Sequence, residues 1–292
     1  MTASAPVGAL AAALTEELAS WETPAGAVAL VDDHGVIASA GRTDSELPWA
    51  SVTKIAAALA VLDTVAEGLL DLDAPAGPPG STVRHLLGHA SGLAFEGERS
   101  LAAPGTRRIY SNAGIDAAVD AAAAAAGATG QEELLRLRVL VPLGMTRTTL
   151  IGSAAHGLHG PLDDMALLAQ ELLAPCALRP GVVDAATTLS FPGLAGVLPG
   201  YGRQDPNDWG LGIELRGAKA PHWMPPSAAP DAFGHFGQAG SFLWVDRSCT
   251  LAAVALTGRA FGPWAVDAWP RSSERWRDAL SVHNGESRGG RA

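Results

Sequence analysis

Short apolar runs of β type gather near the two ends of the chain, and helix-spaced apolar positions fill its middle. Residues 27–31 (AVALV) and 36–40 (VIASA) are separated by the turn cluster Asp32-Asp33-His34-Gly35 and predict a hairpin. Three further strands are predicted over 209–215, 241–246 and 250–257. Helical patterns run over 7–21, broken by Pro24, and from Ser51 to a stop at Gly68. Others cover 82–88, the Ala-rich stretch 113–126 ending at Gly127, 131–140 closed by Pro142, 161–173, and a closing helix over 270–280. Strands at both ends with helices between them predict an α/β fold of the α+β type. Its antiparallel sheet is built from both chain ends and flanked by helices, with an α-helical region inserted. The expected division is an α/β domain from 1–60 and 191–280, an inserted helical domain over 61–190, and a flexible polar tail over 281–292.

Composition narrows the function. A chain of 292 residues that is 48% hydrophobic and 17% charged has ample material for a core and is not disordered. A net charge of −10 with no basic run argues against nucleic acid as a partner. No apolar stretch approaches the roughly 18 residues of a membrane span. The apolar run 7–14 lacks a basic lead and continues into Glu16 and Glu17, so it reads as an amphipathic helix, not a signal peptide. No membrane partner and a cytoplasmic location are therefore expected. Cys176 and Cys249 stand far apart without a motif and read as unpaired thiols. The pair His85/His89 lacks the glutamate of a zinc-binding helix and reads as packing. His156 and His159 lie in a Gly-rich loop without a metal motif, and no metal or cofactor is expected.

Three short motifs carry candidate chemistry. In Ser51-Val52-Thr53-Lys54 the serine and the lysine fall on one face of a helix start, where free N–H groups and the helix dipole lie beside the serine oxygen. Lys54 is followed by eight apolar residues, so it is either snorkelling at an edge or desolvated into a usable base. Spacing alone fits a capping serine with a solvated lysine better. Tyr110-Ser111-Asn112 offers a phenol for proton relay and an amide to orient a carbonyl, or a half-buried tyrosine with Asn112 capping the Ala-rich helix. Gly234-His235-Phe236-Gly237-Gln238 leads glycine-rich into a strand and offers free N–H groups for an oxyanion, or is a plain bulge or turn.

Taken in order, these motifs resemble the serine β-lactamase-like superfamily, in its branch of class C β-lactamases, D-alanyl-D-alanine carboxypeptidases and β-lactamase-fold esterases. That family is marked by S-x-x-K, Y-x-N and K-T-G or H-x-G, matched here by Ser51/Lys54, Tyr110/Asn112 and His235/Gly237. Supporting stretches are GLLDLDAP at 68–75, VRHLLGHASGL at 83–93, PGTRRIYSNAG at 104–114, PLGM at 142–145 and WGLGIEL at 209–215. The resemblance implies an acylated nucleophile at Ser51, a general-base task shared by Lys54 and Tyr110, and substrate contacts from Asn112, His235 and Gly237. It also implies an oxyanion hole from the backbone N–H groups of Ser51 and Gln238.

One departure bears on the substrate. The third motif starts with His235 where relatives carry a lysine that holds a substrate carboxylate. A histidine is mostly neutral near pH 7, so penicillin-like and D-Ala-D-Ala substrates are expected to be poor ones. The expected activity is hydrolysis of an intracellular small-molecule ester, amide or thioester. Transfer of the acyl group to an amine or alcohol is the alternative, and a non-turnover sensor of the same fold is a third reading.

Overall fold

The computed structural model describes residues 4–23 and 25–289, with the side chains of 4–7 and 281–289 outside the description. Pro24, read as the breaker of the first helix, also lies outside it.

The core is a six-stranded antiparallel sheet built from both chain ends. Its strands are β1 (Ala27–Asp32), β2 (Gly35–Gly41), β3 (Glu214–Leu215), β4 (Phe233–Gly237), β5 (Ser241–Asp246) and β6 (Leu251–Leu256), in the spatial order β2-β1-β6-β5-β4-β3. The β1–β2 turn closes as expected, because the Asp32 carboxylate accepts from the N–H groups of His34 and Gly35 at 2.8 and 3.1 Å. Strands β4, β5 and β6 are buried along their whole length. Alternate residues feed two separate cores, as the twofold period of a strand requires. On one face lie Ala29, Val31, Leu243, Val254 and Leu256, packed with the helical region. On the other lie Val28, Leu30, Phe242, Trp244 and Ala253, packed with Trp21, Trp269 and Trp276.

The terminal helices α1 (Ser4–Ser20) and α5 (Pro263–Gly289) cover that second face. Leu10, Leu14 and Leu18 of α1 recur every four residues on its buried side. The first face meets α2 (Thr53–Ala66) and α4 (Leu162–Leu173), and α3 (Asn112–Ala126) packs on α2 behind them. Helix α2 is buried from Thr53 to Thr64, which fits its nearly unbroken apolar sequence. Helix α4 falls inside 61–190, yet packs directly on β1, β5 and β6.

Five expectations need correction. The segment 209–215 is a strand only at Glu214–Leu215. Before that, Gly212 adopts φ +73° and donates its N–H to the Leu87 carbonyl at 2.8 Å, laying the loop against α2. A Cβ there would stand 2.4 Å from that of Ala58. The stretch from Gly234, read as a glycine-rich entry to the next strand or a bulge or turn, is itself part of strand β4 (Phe233–Gly237), paired with β5. The helix over 131–140 is α-helical only at Gln131–Leu135 and continues as a π turn over Arg136–Leu140. The closing helix begins at Pro263, where a proline without an N–H fits the first turn, and Pro270 lies within it. Of the tail expected over 281–292, residues up to Gly289 continue this helix and 290–292 lie outside the described residues.

Candidate active site

The turn that carries Ser51 is held on two sides. Trp49 is fully buried, and its carbonyl accepts from Ser241 Oγ of β5 at 2.6 Å. Its backbone N–H donates to Leu158 O at 2.8 Å, and its indole N–H to Gly160 O at 3.2 Å. Ala50 then takes φ +45°, a left-handed conformation costly for a residue with a Cβ. The 3-10 turn Ala50–Val52 follows and runs into α2, so Ser51 stands at the N-terminal end of that helix. Strand β4 passes close by: a Cβ on Gly237 would lie 2.5 Å from Ser241 Oγ, 2.6 Å from Trp49 O and 2.9 Å from Ala50 Cβ. The glycine is therefore required for the strand to lie against the Ser51 turn.

Lys54 is buried, not snorkelling. Its Nζ lies 3.1 Å from Ser51 Oγ, 2.6 Å from Asn112 Oδ1 and 2.8 Å from Ala155 O. Burial pulls its ammonium down to about 7, against the attraction of Asp116 and Glu96. Near neutral pH a large share of the amine is therefore uncharged. Its two N–H bonds can then go to Asn112 and Ala155, which leaves the nitrogen lone pair facing Ser51 Oγ. Asn112 is occupied on both sides, because its Nδ2 donates to Glu96 Oε1 at 2.7 Å. It is not the cap of α3: Ser111 takes that place, accepting from Gly114 N–H at 2.9 Å.

Tyr110 is presented by a clamped segment. His89 grips it from both sides, its carbonyl accepting from Ile109 N–H at 2.9 Å and its Nδ1 from Ser111 N–H at 3.2 Å. The His89 ring also packs on that of Tyr110, with centroids 4.6 Å apart. Beside it the Arg108 guanidinium is buried and donates to the carbonyls of Asn207, Gly88, Ser190 and Phe191. The Tyr110 ring stacks under the ammonium of Lys54, which lies 4.6 Å from its centroid. Burial pushes the phenol well above the usual tyrosine range, partly offset by a hydrogen bond with Ser51 and reinforced by Glu214.

The Tyr110 hydroxyl is 3.3 Å from His235 Nε2. His235 Nδ1 lies 2.8 Å from the Phe236 carbonyl, which can only accept, so Nδ1 carries the proton and Nε2 takes the phenol's hydrogen. Burial, with help from the Lys54 charge, brings the imidazolium down to about 3, and the ring is neutral at pH 7.

Ser51, Tyr110, His235 and Gln238 line one cavity of about 490 Å³. Apolar side chains form much of its wall, among them Phe95, Leu101, Ile109, Val197, Leu198 and Trp209. Glu214 also reaches it, a buried carboxylate that takes Lys219 Nζ at 3.0 Å, His222 Nε2 at 2.9 Å and Trp223 Nε1 at 2.9 Å. Those partners hold it well below the ordinary carboxylate range although burial opposes them. Among the described residues no group of His, Cys, Asp and Glu is arranged to hold a metal ion, and no helix is long and apolar enough to cross a membrane.

The three motifs thus meet at one place. Several contributors lay outside the sequence reading. Asp116 stands four residues after Asn112, on the same side of α3, and that spacing was available as a signal. The Ala155 carbonyl and Glu96 come from loops whose approach no local pattern announces. His89 was read as a packing histidine, and its hold on both neighbours of Tyr110 is a tertiary feature.

The chain belongs to the β-lactamase family, whose model matches residues 10–273. Among solved structures it is similar to a β-lactamase from Mycobacterium bovis, with 46% identity and a TM-score of 0.87 over 92% of this chain and 98% of that one. A simvastatin synthase from Aspergillus terreus shares the fold at 17% identity and a TM-score of 0.72, covering 96% of this chain and 98% of its own. So does a hydrolase with promiscuous acyltransferase activity, at 17% identity and a TM-score of 0.72 over 94% and 98%. No curated protein matches the chain.

Proposed function

We propose that this chain is a serine acyl-transfer enzyme that works through an ester on Ser51 and hydrolyses a small ester or amide. The observation that carries the reading is the 3.1 Å approach of Ser51 Oγ to the buried, half-deprotonated amine of Lys54. The Oγ–H proton passes to Lys54 Nζ while the Oγ–carbon bond forms. Backbone N–H groups of Ser51 and Gln238 receive the charge that develops on the carbonyl oxygen. The proton then goes to the leaving group as the acyl-enzyme forms, and a water repeats the sequence to release the acid.

The base and the relay separate by their surroundings. Tyr110 is a neutral phenol whose hydrogen is held by His235, so it moves protons and does not stand as a phenolate. Lys54 takes the base role, and Asn112 orients it through Oδ1. The apolar cavity wall favours a second reading beside hydrolysis, in which an alcohol or amine docks there and takes the acyl group in place of water.

The test is p-nitrophenyl butyrate turnover, with mass spectrometry of the enzyme after quenching. Steady turnover, a butyryl adduct on Ser51 and its loss in Ser51→Ala are expected. Added alcohol raises the share of transfer product if the second reading holds. A single burst without turnover marks a sensor, and an adduct elsewhere overturns the mechanism.

A further inference from the structure

Three of the four charged side chains on the cavity wall are arginines. The chain as a whole is −10, yet the charged residues on the lining are Arg107, Arg108, Arg203 and Glu214. Glu214 is already bound to Lys219, His222 and Trp223, and Arg108 is spent on four carbonyls. Arg107 and Arg203 remain, both exposed at the rim. Arg203 has only an exposed ion pair with Asp205, a kind of contact that a ligand displaces at little cost.

The same rim leaves large apolar side chains open. Phe95, Leu101 and Val197 line the cavity and are 54%, 46% and 65% exposed. Val197 and Arg203 are cross-strand partners in the hairpin formed by Gly196–Leu198 and Gly202–Gln204, so they stand side by side on one face. Arg107 adjoins the other wall, where Arg108 N–H donates to Ala195 O at 3.0 Å and ties 107–110 to that hairpin. An apolar trough thus leads from a rim with two guanidinium groups down to Ser51.

We propose that the substrate is an amphiphile: an apolar acyl ester or thioester that also bears a carboxylate or phosphate, with the apolar part in the cavity and the anion on Arg107 and Arg203. The inference rests on the acyl-transfer reading of Ser51. The anion is recognised at the rim, away from the neutral His235. Two guanidinium forks suit a planar or tetrahedral oxyanion group, and the exposed apolar residues account for the rest of the molecule.

Two measurements test this and separate its failure from that of the acyl-enzyme reading. The first is binding of hexanoate and hexylphosphonate against 1-hexanol by calorimetry, which needs no turnover. The anions are expected to bind about tenfold tighter or better at low salt, an advantage that fades near about 1 M salt, where the screening length is about 3 Å. The second is the kcat/KM ratio of an anionic to a neutral ester. Mono-p-nitrophenyl adipate puts the carboxylate on the acyl side, the butyryl thioester of thiosalicylate puts it on the leaving group, and p-nitrophenyl butyrate is the neutral reference. One anionic probe should lead, and its identity places the anion. The ratio should fall toward one in Arg107→Ala/Arg203→Ala. Equal binding of hexanol and hexanoate, or a preference that survives the double variant, overturns the proposal even where Ser51 is acylated. Anion binding without any acylation would keep the anion site on Arg107 and Arg203 but remove the acyl-enzyme reading, and with it the ester or thioester part of this proposal.

Discussion

Tyr110 and His235 face each other at 3.3 Å, with the imidazole fixed by the Phe236 carbonyl so that its unprotonated Nε2 points at the phenol. A neutral acceptor thus faces the phenol. It holds the phenolic hydrogen without lowering the phenol's affinity for it.

Replacing that acceptor by a cation should shift the pH dependence. In His235→Lys a positive charge beside Tyr110 and near Lys54 favours the deprotonated form of both groups. The rising limb of kcat/KM should move toward acid by about one unit or more. Binding of carboxylated β-lactams should improve as well, because a charge-assisted bond replaces an ordinary one. A pH–rate profile identical to that of the natural protein would show that His235 does not act on these groups.

The buried amine makes a second prediction, on stability. Lys54 ionises near about 7 in the fold against an ordinary 10.5, so the unfolded chain binds more protons between those values and stability rises with pH across that window. Below pH 7 the burial penalty is fully present, on the order of 5 kcal/mol before its hydrogen bonds are counted, and above 10.5 it is absent. Lys54→Met removes the titration at the cost of leaving Asn112 Oδ1 and Ala155 O without their donor. Denaturant unfolding should show the variant gaining relative to the natural protein at pH 6, with the gap closing toward pH 10. Turnover should vanish. A gap independent of pH would mean that the amine is charged throughout.

How much of this was legible in the sequence depends on whether a feature is local. The Ser51/Lys54 spacing, the Asp32 turn and the Ala-rich helix are set by residues a few positions apart, and they stand where pattern placed them. Strand β4 hid because FGHFG is rich in glycine, which ordinarily signals a turn. Its glycines instead admit neighbours: a Cβ on Gly234 would lie 2.1 Å from Leu243 O, and one on Gly237 would strike the Ser51 turn. Residues 209–215 misled in the opposite sense, since Trp209 makes only isolated bridges to Ser190 and Glu214 and Gly212 turns the segment as a loop against α2. The surroundings of Lys54 come from 96, 112, 116 and 155, and no periodicity links such positions.

Gly237→Ala tests whether β4 must touch the Ser51 turn. The added methyl meets backbone and the Ala50 Cβ, not the loose end of a side chain, so the strand or the turn must shift. A loss of about 1–3 kcal/mol in stability is expected. If the Gln238 N–H holds the developing oxyanion as proposed, it would move out of place, so kcat should fall by about a hundredfold while KM changes little. An unchanged kcat would place the oxyanion contacts elsewhere.

His89 sets the position of Tyr110 without reaching the cavity wall. It is fully buried at φ +54°, and its backbone carbonyl and Nδ1 hold the N–H groups on either side of Tyr110. Its Nε2 has no hydrogen-bond partner among the described residues, so within the ring Nδ1 alone carries the hold. Asparagine keeps a comparable acceptor and tolerates the left-handed backbone, whereas leucine fills more of the space but offers no acceptor and strains at positive φ. His89→Leu should lower kcat by about tenfold to a hundredfold with little change in KM, since a small displacement of a relay group is felt in the transition state. His89→Asn should recover much of that loss, although it fills the site less well. If the two variants lose activity in proportion to their stability, with no advantage for asparagine, the histidine is a packing residue and the hydrogen bond to Ser111 has no part in placing the phenol.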